Sequence, residues 1–262
     1  MSRAWVVLLM LATVKAQSLT RTETEEFLLK GSIASERSVN PDFIRLTLDD
    51  GKLRHDATIQ YLDTADASRR AVYRLNVATY ELDKMLELNL VVPSTERSVN
   101  GRPAVMTWMA ENIRTSEQDR RKANIQPPDP DLWNKQMLAV RLFDELISNT
   151  YRDIRPEFFT TTLWDNLLIT RDWRIRLIDH KASFLTTTVL AHPESLTRCD
   201  RALLGKVRTL NRNAFTQKLG KFLSPSQLDG LEARRRLLVE LFDNQIAVKG
   251  ENAVLYDLPP ER

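Results

Sequence analysis

The stretch that decides the fold is residues 149–184, NTYRDIRPEFFTTTLWDNLLITRDWRIRLIDHKASF. It contains two short apolar runs, LLIT at residues 167–170 and IRLI at residues 175–178, joined by the corner RDW. Such a pattern predicts a β-hairpin. Asn166 directly precedes the first run and Asp179 directly follows the second, so the hairpin should return these two residues to the same place.

The pairing of Asn166 with Asp179 suggests a metal site, because hard cations such as Mg²⁺ take carboxylate and amide oxygens as ligands. If that cation carries a nucleotide, the site belongs to phosphoryl-transfer chemistry. The alternative is structural, since Asn and Asp are common turn formers at the ends of ordinary hairpins.

The surrounding sequence supports the metal-site interpretation. Its order is FDxLIxNT, then NLLI, DW and LIDHxxxF, over residues 143–184. It resembles the catalytic loop and metal-binding segment of a bacterial kinase-like family, distantly related to phosphatidylinositol kinases, toxin–antitoxin kinases and secretory-pathway kinases. The resemblance covers roughly residues 25–245. It implies an α+β, bilobal protein-kinase-like fold that binds ATP with Mg²⁺ or Mn²⁺, and an acceptor that is a protein or a small molecule.

The same resemblance implies a domain organisation. Residues 17–108 would form a small β-rich N-lobe, residues 109–248 a larger helical C-lobe, and residues 249–262 a loose tail. We expect strands at residues 31–34, 43–48 and 55–62, and around the Asn100-Gly101 turn at residues 88–93 and 104–108. We expect helices at residues 20–29, 75–88, 131–148, 198–210, 213–222 and 224–243. Thr22 with Glu25 and Ser224 with Gln227 are expected to cap the first and the last of these helices. Spacings of three and four residues predict two buried faces, the first formed by Leu75, Ala78, Leu82 and Met85 and the second by Trp133, Met137, Val140, Phe143 and Ile147. Residues 114–130, charged and proline-rich, should be an exposed loop.

Four cofactor-binding residues follow from the resemblance. Arg37 lies in a predicted turn, residues 35–41, that would cover the nucleotide phosphates. Gln60 falls at the position of the strand lysine that holds phosphates, and Asn76 at that of the helix glutamate that pairs with it. The two amides should hydrogen-bond each other. Trp108 leads into the predicted hinge, residues 109–111, whose backbone would meet an adenine edge; an ordinary core role is equally open for Trp108.

The catalytic acid is where this chain departs from the family pattern. The pattern places an aspartate where the sequence has Tyr151, and a tyrosine with a pKa near 10 is a poor base at neutral pH. About ten residues, 154–163, are inserted into the catalytic loop. Either Asp153 or Asp165 replaces the acid, or the protein is an inactive pseudokinase that serves as a binding or scaffold module. A purely structural α+β domain is the third possibility.

Composition narrows the function classes. The chain has 262 residues, 38 basic and 35 acidic, and one cysteine, Cys199. Residues 17–262 lack Arg3 and Lys15 and so carry 36 basic against 35 acidic residues, a net charge of about +1 that is too balanced to indicate a nucleic-acid partner. One cysteine excludes an intrachain disulfide, and with only three histidines a structural zinc site is not expected.

The first 16 residues predict a signal peptide and therefore export to the periplasm or beyond. Arg3 precedes an apolar run at residues 4–14, and Val14-Lys15-Ala16 offers a cleavage site. That run is too short for a stable membrane span, which needs about 20 residues. If residues 1–16 instead form a frayed helix, the protein is cytoplasmic.

Overall fold

The computed structural model describes residues 19–40, 43–149, 152 and 164–260. The fold is mixed α+β, with an antiparallel sheet in the N-terminal region and helices later in the chain. The predicted signal peptide at residues 1–16 lies outside the described residues, as do Tyr151, Asp153 and the inserted segment. Among the described residues, no helix combines the length and the apolar character needed to cross a bilayer.

The N-terminal region contains a five-stranded antiparallel sheet and two helices. The helices are α1 (Arg21–Lys30) and α2 (Ala67–Leu86). The strands are β1 (Ser32–Asn40), β2 (Phe43–Asp49), β3 (Arg54–Tyr61), β4 (Ser94–Val99) and β5 (Arg102–Trp108), in the spatial order β1-β2-β3-β5-β4. Helix α2 connects β3 to β4. Helix α1 packs on the sheet through buried Phe27 and Leu28, which join Leu46, Leu48 and Ile59 in one apolar cluster.

The predicted turn at residues 35–41 is wrong, because most of it is strand. β1 continues to Asn40 and pairs with β2, with Arg37 opposite Arg45. Nearly all described side chains of β1 are exposed, so no alternation of apolar and polar residues marks this strand in the sequence. Backbone pairing with its neighbour creates it. Arg37 therefore projects from an edge strand and not from a phosphate-covering turn.

The predicted helix at residues 75–88 begins earlier than expected. Asp66 caps α2 by accepting hydrogen bonds from the backbone N–H groups of Ser68 and Arg69. The expected inward face is confirmed, since Leu75 and Leu82 are buried. The first two turns carry mostly exposed or half-buried side chains, so their sequence lacks the periodicity of the later turns. In α1, the capping box is formed by Thr20 and Glu23, two residues before the one expected.

The second half of the chain begins with a three-stranded sheet, whose first strand includes the start of the predicted loop, residues 114–130. β6 (Ile113–Ser116), β7 (Leu167–Thr170) and β8 (Ile175–Leu177) form an antiparallel sheet in that order. The predicted hairpin β7–β8 is confirmed. Residues 114–130 are not simply an exposed loop, because they also contain α3 (Glu117–Lys122). Glu117 is fully buried and paired with Arg120 and Arg121, so the charged run that suggested solvent exposure is partly folded inward.

The remaining elements are mostly helical. They are α4 (Pro130–Ile147), α5 (Arg201–Thr209), α6 (Arg212–Leu219), α7 (Pro225–Lys249) and α8 (Glu251–Val254), with the short strands β9 (Cys199–Asp200) and β10 (Leu255–Tyr256). The predicted stripe on α4 is buried: Trp133, Met137, Val140, Phe143 and Ile147. The end of the chain is not a loose tail, because β10 pairs in parallel with β9 and buries both of its side chains.

Candidate functional site

The hairpin β7–β8 brings Asn166 and Asp179 to the same end, as predicted. Leu167 pairs with Leu177, and the N–H of Ile178 donates to the carbonyl of Asn166 at 3.1 Å. Asp179 follows with a φ of +54°, in the left-handed region that few residues other than glycine adopt. The chain therefore turns sharply directly after the second strand. Strained backbone of this kind is frequent at ligand sites.

Both residues carry buried polar atoms without a hydrogen-bond partner in the described part of the chain. These atoms are Asn166 Nδ2 and Asp179 Oδ1. Asp179 Oδ1 lies 3.2 Å from Lys181 Nζ, which gives charge attraction without hydrogen-bond geometry. Buried polar atoms are normally satisfied, and leaving one unpaired costs about 1–3 kcal/mol.

A hard cation fits this donor set. Rotating the Asn166 carboxamide by half a turn places its oxygen where Nδ2 stands, so the pair can offer an amide oxygen and a carboxylate oxygen. No group of three or more His, Cys, Asp and Glu side chains suited to a metal occurs among the described residues. Two protein ligands are nevertheless enough for Mg²⁺ bound with phosphates, because this ion keeps several waters and takes the remaining ligands from the nucleotide.

A chain of hydrogen bonds connects the sheet to this turn. Asn76 Nδ2 donates to Gln60 Oε1 at 3.4 Å, which confirms the predicted contact between the two amides. The backbone N–H of His180 donates to Asn76 Oδ1 at 2.9 Å. Asn76 is buried, so β3, α2 and the turn at Asp179 are held together by one carboxamide. The role of Gln60 and Asn76 toward a nucleotide stays a prediction.

His180 is buried beside this turn in a neutral state. Its side chain is 1% exposed, and neither ring nitrogen has a hydrogen-bond partner among the described residues. Burial, with a smaller contribution from the Arg152 guanidinium, lowers the pKa of His180 well below its usual value. Ser183 Oγ is likewise buried without such a partner. The unsatisfied polar atoms therefore continue past Asp179 along the chain.

A second polar cluster is formed by Asp144, Asn149 and Arg152, at the start of the segment that the resemblance assigns to the catalytic loop. Arg152 donates through Nε and Nη2 to the two carboxylate oxygens of Asp144, at 3.0 and 2.7 Å. Asn149 Nδ2 also donates to Asp144, at 3.0 Å. Arg152 Nη1 approaches the carbonyl of Ile178 at 3.5 Å. This cluster was not predicted from the sequence. Its only indication there is Arg152, the last residue of the motif NTYR.

Two buried side chains, Arg234 and Glu145, hold the segment that follows the turn, residues 185–192. Arg234 Nε donates to the carbonyl of Leu146 at 2.9 Å, and its Nη1 donates to that of Leu185 at 3.0 Å. Burial lowers the pKa of Arg234 to about 10. Glu145 accepts the backbone N–H groups of Ala191 and His192, at 2.8 and 2.9 Å.

Burial raises the pKa of Glu145, and these two hydrogen bonds oppose that rise. Residues 185–192 are thus held against α4 and α7 by one guanidinium and one carboxyl group.

Gln60 and Trp108 line different cavities. Gln60 contributes to one of about 360 Å³ with Tyr73, Arg69 and Arg102. Trp108 contributes to one of about 280 Å³ with Thr170, Asp172 and Arg176, among others. The structure therefore does not bring these two predicted nucleotide contacts into one described cavity.

Trp108 and the predicted hinge have partners within the N-terminal region. The Trp108 ring stacks on His55, with centroids 3.4 Å apart, and meets Phe27 edge to face. The N–H of Met109 donates to the carbonyl of Asp56 at 3.1 Å, and its carbonyl contacts His55 Nε2 at 2.9 Å. Met109 thus uses its backbone groups inside the fold, while contact of Ala110 and Glu111 with an adenine edge stays a prediction.

The two candidate acids differ in what the structure says of them. Asp165 lies exposed in a short 3₁₀ helix, Trp164–Asn166, directly before the predicted metal ligand. Asp153 lies outside the described residues, so its catalytic role stays a prediction.

Comparison with protein-family models and with curated proteins finds no match to this chain. Function therefore has to be inferred from the residues themselves.

Proposed function

We propose that this protein has a bilobal kinase-like architecture and binds a nucleotide, expected to be ATP, with Mg²⁺ or Mn²⁺. The β-rich N-terminal region and the later helices are compatible with the two lobes, with the boundary near Trp108. Contacts between the five-stranded sheet, α2 and the hairpin β7–β8 support the proposed architecture and binding site.

The observation that carries the proposal is the hydrogen-bond chain from Gln60 through Asn76 to His180. The resemblance assigns Gln60 and Asn76 to the paired strand and helix positions of a kinase, and these side chains touch at 3.4 Å. Asn76 in turn holds the backbone next to Asp179. Residues assigned separately from three distant parts of the sequence thus meet around one turn, which an ordinary hairpin would not require.

Asn166 and Asp179 would hold the divalent cation. The cation would neutralise negative charge on the phosphates, which is the main requirement of phosphoryl-transfer sites. The protein residues around it bind and orient: Asn76 fixes the turn, Arg152 fixes the preceding loop to α4, and burial keeps His180 uncharged. The buried His180 beside Asp179 lowers the local polarity, which strengthens the attraction between the Asp179 carboxylate and a cation.

Turnover is expected to be inefficient. Tyr151 stands where the family has its acid, and Gln60 and Asn76 provide amides where kinases provide a lysine and a glutamate. Preorganised charge supplies much of the rate in this chemistry, so each loss lowers it by orders of magnitude. The second candidate is accordingly a catalytically inactive pseudokinase that acts as a binding or scaffold module. Exposed Asp165 is the described residue able to replace the missing acid.

Thermal unfolding with and without Mn²⁺ and a non-hydrolysable ATP analogue tests the binding proposal. At a ligand concentration about 100 times Kd, binding adds about 2.7 kcal/mol to the stability of the folded state, which raises Tm measurably. Asp179→Ala should abolish the shift. Asp131→Ala is the matched control, because Asp131 also pairs with a lysine, Lys135 at 2.9 Å, but is not a predicted ligand, and its shift should equal that of the unmodified protein.

Two results would contradict the proposal. An Asp179→Ala variant that shifts as much as the unmodified protein would show that the cation binds elsewhere. A protein that gives no shift with any nucleotide would leave only a structural α+β domain. Release of phosphate from ATP, measured in parallel, separates an active phosphotransferase from a pseudokinase.

A further inference from the structure

Lys181 places a positive charge beside the predicted cation ligand Asp179. Its Nζ lies 3.2 Å from Asp179 Oδ1, and the two side chains are 35% and 30% exposed. Ion pairs between side chains of this exposure contribute only about 0–1 kcal/mol, and the Lys181 ammonium group remains accessible to water although Asp179 Oδ1 is buried. A ligand that binds the carboxylate strongly can therefore displace the ammonium group without disturbing the fold.

The site as assigned lacks a cation where one is needed. Gln60, at the strand-lysine position, can donate hydrogen bonds to phosphate but cannot neutralise it. Its contact, Asn76, accepts the N–H of His180, and Lys181 is the next residue. Lys181 therefore directly follows the residue whose backbone N–H is bound by Asn76. A four-carbon stem gives its ammonium group the reach to change partners.

Arg152 is close to the same segment but is not available for this role. It is 1% exposed and bound through two nitrogens to Asp144. Turning its guanidinium toward a ligand would leave the Asp144 carboxylate buried and unpaired, which is strongly unfavourable. Lys181 has no such constraint, because its partner Asp179 is the residue that the cation would take over.

We infer that Lys181 exchanges partners when the site is filled, an inference that rests on the proposed function. Without ligand, its ammonium group pairs with Asp179. With a divalent cation on Asp179 and a nucleotide on that cation, the ammonium group turns to the phosphates. Lys181 then supplies the positive charge that Gln60 lacks. It is a phosphate-binding residue contributed by the turn after β8 and not by the sheet.

This arrangement predicts effects of opposite sign from one substitution, Lys181→Gln. For Mn²⁺ alone, affinity should rise about two- to fivefold, because the ammonium group no longer competes for the carboxylate. For the Mn²⁺ complex of a non-hydrolysable ATP analogue, affinity should fall about tenfold, because a charge-assisted hydrogen bond to phosphate is lost. Isothermal titration calorimetry measures both. Lys181→Arg should keep the nucleotide complex within about threefold of the unmodified protein.

Lys135→Gln is the matched control, since Lys135 forms a single pair with Asp131, 2.9 Å away on α4, and should change neither affinity. If Lys181→Gln changes neither affinity, or changes both in the same direction, the inference is wrong while the proposed function stands. If the unmodified protein binds neither Mn²⁺ nor the nucleotide complex, both are wrong. A circular dichroism spectrum and Tm of each variant without ligand confirm that the comparison is between folded proteins.

Discussion

Two buried polar clusters lie on either side of Ile178, and they differ in how well their hydrogen bonds are satisfied. In the first, Asp144 receives three hydrogen bonds from Asn149 and Arg152. In the second, Asn166, Asp179 and His180 hold buried atoms without hydrogen-bond partners among the described residues. Ile178 touches both, through its carbonyl to Arg152 and its N–H to Asn166.

Under the proposed function, this difference separates a structural cluster from a ligand-binding one. A buried cluster whose donors and acceptors are matched stabilises one conformation. A buried cluster with unmatched atoms destabilises the folded state until something binds to it, so selection for stability alone would replace it. Because both clusters lie within one stretch of chain, the first can hold the second in place for a ligand. Three substitutions test this contrast.

The largest effect is expected at the satisfied cluster. Arg152→Met removes the guanidinium and leaves the Asp144 carboxylate buried without its charge partner, so the free energy of unfolding should fall by about 3–5 kcal/mol. Urea denaturation measures it. Asp165→Ala is the control, since this exposed side chain should change stability by at most about 0.5 kcal/mol. If Arg152→Met lowers the free energy of unfolding by less than about 1 kcal/mol, the Asp144–Asn149–Arg152 cluster does not stabilise the fold as expected.

An intermediate effect is expected where the segment after the site meets α7. A Cβ added to Gly230 would stand 3.0 Å from the carbonyl oxygen of Thr187 and 3.1 Å from that of Leu185. Gly230→Ala should therefore lower stability by about 1–3 kcal/mol through overpacking.

The matched control is Gly205→Ala on α5, where a Cβ meets nothing within 4 Å. That substitution should raise stability by about 0.5–1 kcal/mol, because alanine favours helix over glycine. Calorimetric unfolding compares the pair. Equal effects at both glycines would mean that the segment is not held closely against α7.

The smallest effect is expected at the unsatisfied cluster. Asn166→Leu removes a buried amide whose Nδ2 has no partner, so its desolvation penalty disappears together with its polarity. Without ligand, the free energy of unfolding should change by less than about 1 kcal/mol, while the Mn²⁺–nucleotide shift should be lost. Urea denaturation and thermal shift measure the two. A loss as large as that of Arg152→Met would make Asn166 a structural residue.

Local patterns predicted the elements that bury a regular face or carry their own caps. The hairpin β7–β8, the stripe on α4 and the capping box of Ser224 and Gln227 on α7 were all readable, because periodicity and end residues report directly on helices and strands. The start of β1 was predicted at residues 31–34, but its exposed continuation to Asn40 and the pair β9–β10 were not predicted. Their residues are strands because a neighbour offers backbone partners, and that neighbour is distant or unpatterned in the sequence.

The candidate site divides in the same way. The contact between Gln60 and Asn76 followed from the resemblance to the kinase-like family, and the return of Asn166 to Asp179 followed from hairpin geometry. The Asp144–Arg152 pair, the Lys181–Asp179 pair and the burial of His180 did not, because each depends on which side chains face one another after helices and strands pack.

Residue order alone defined the α+β class, the hairpin and the two polar residues that flank it, since these depend on neighbours a few positions apart. Packing determined the rest. It decides which buried polar atoms have hydrogen-bond partners and which do not, and it places the Lys181 ammonium group beside Asp179. Matching is a property of distances between residues far apart in the chain, such as Asn76 and His180. Burial then sets the energy of each mismatch, because a polar atom removed from water needs a partner.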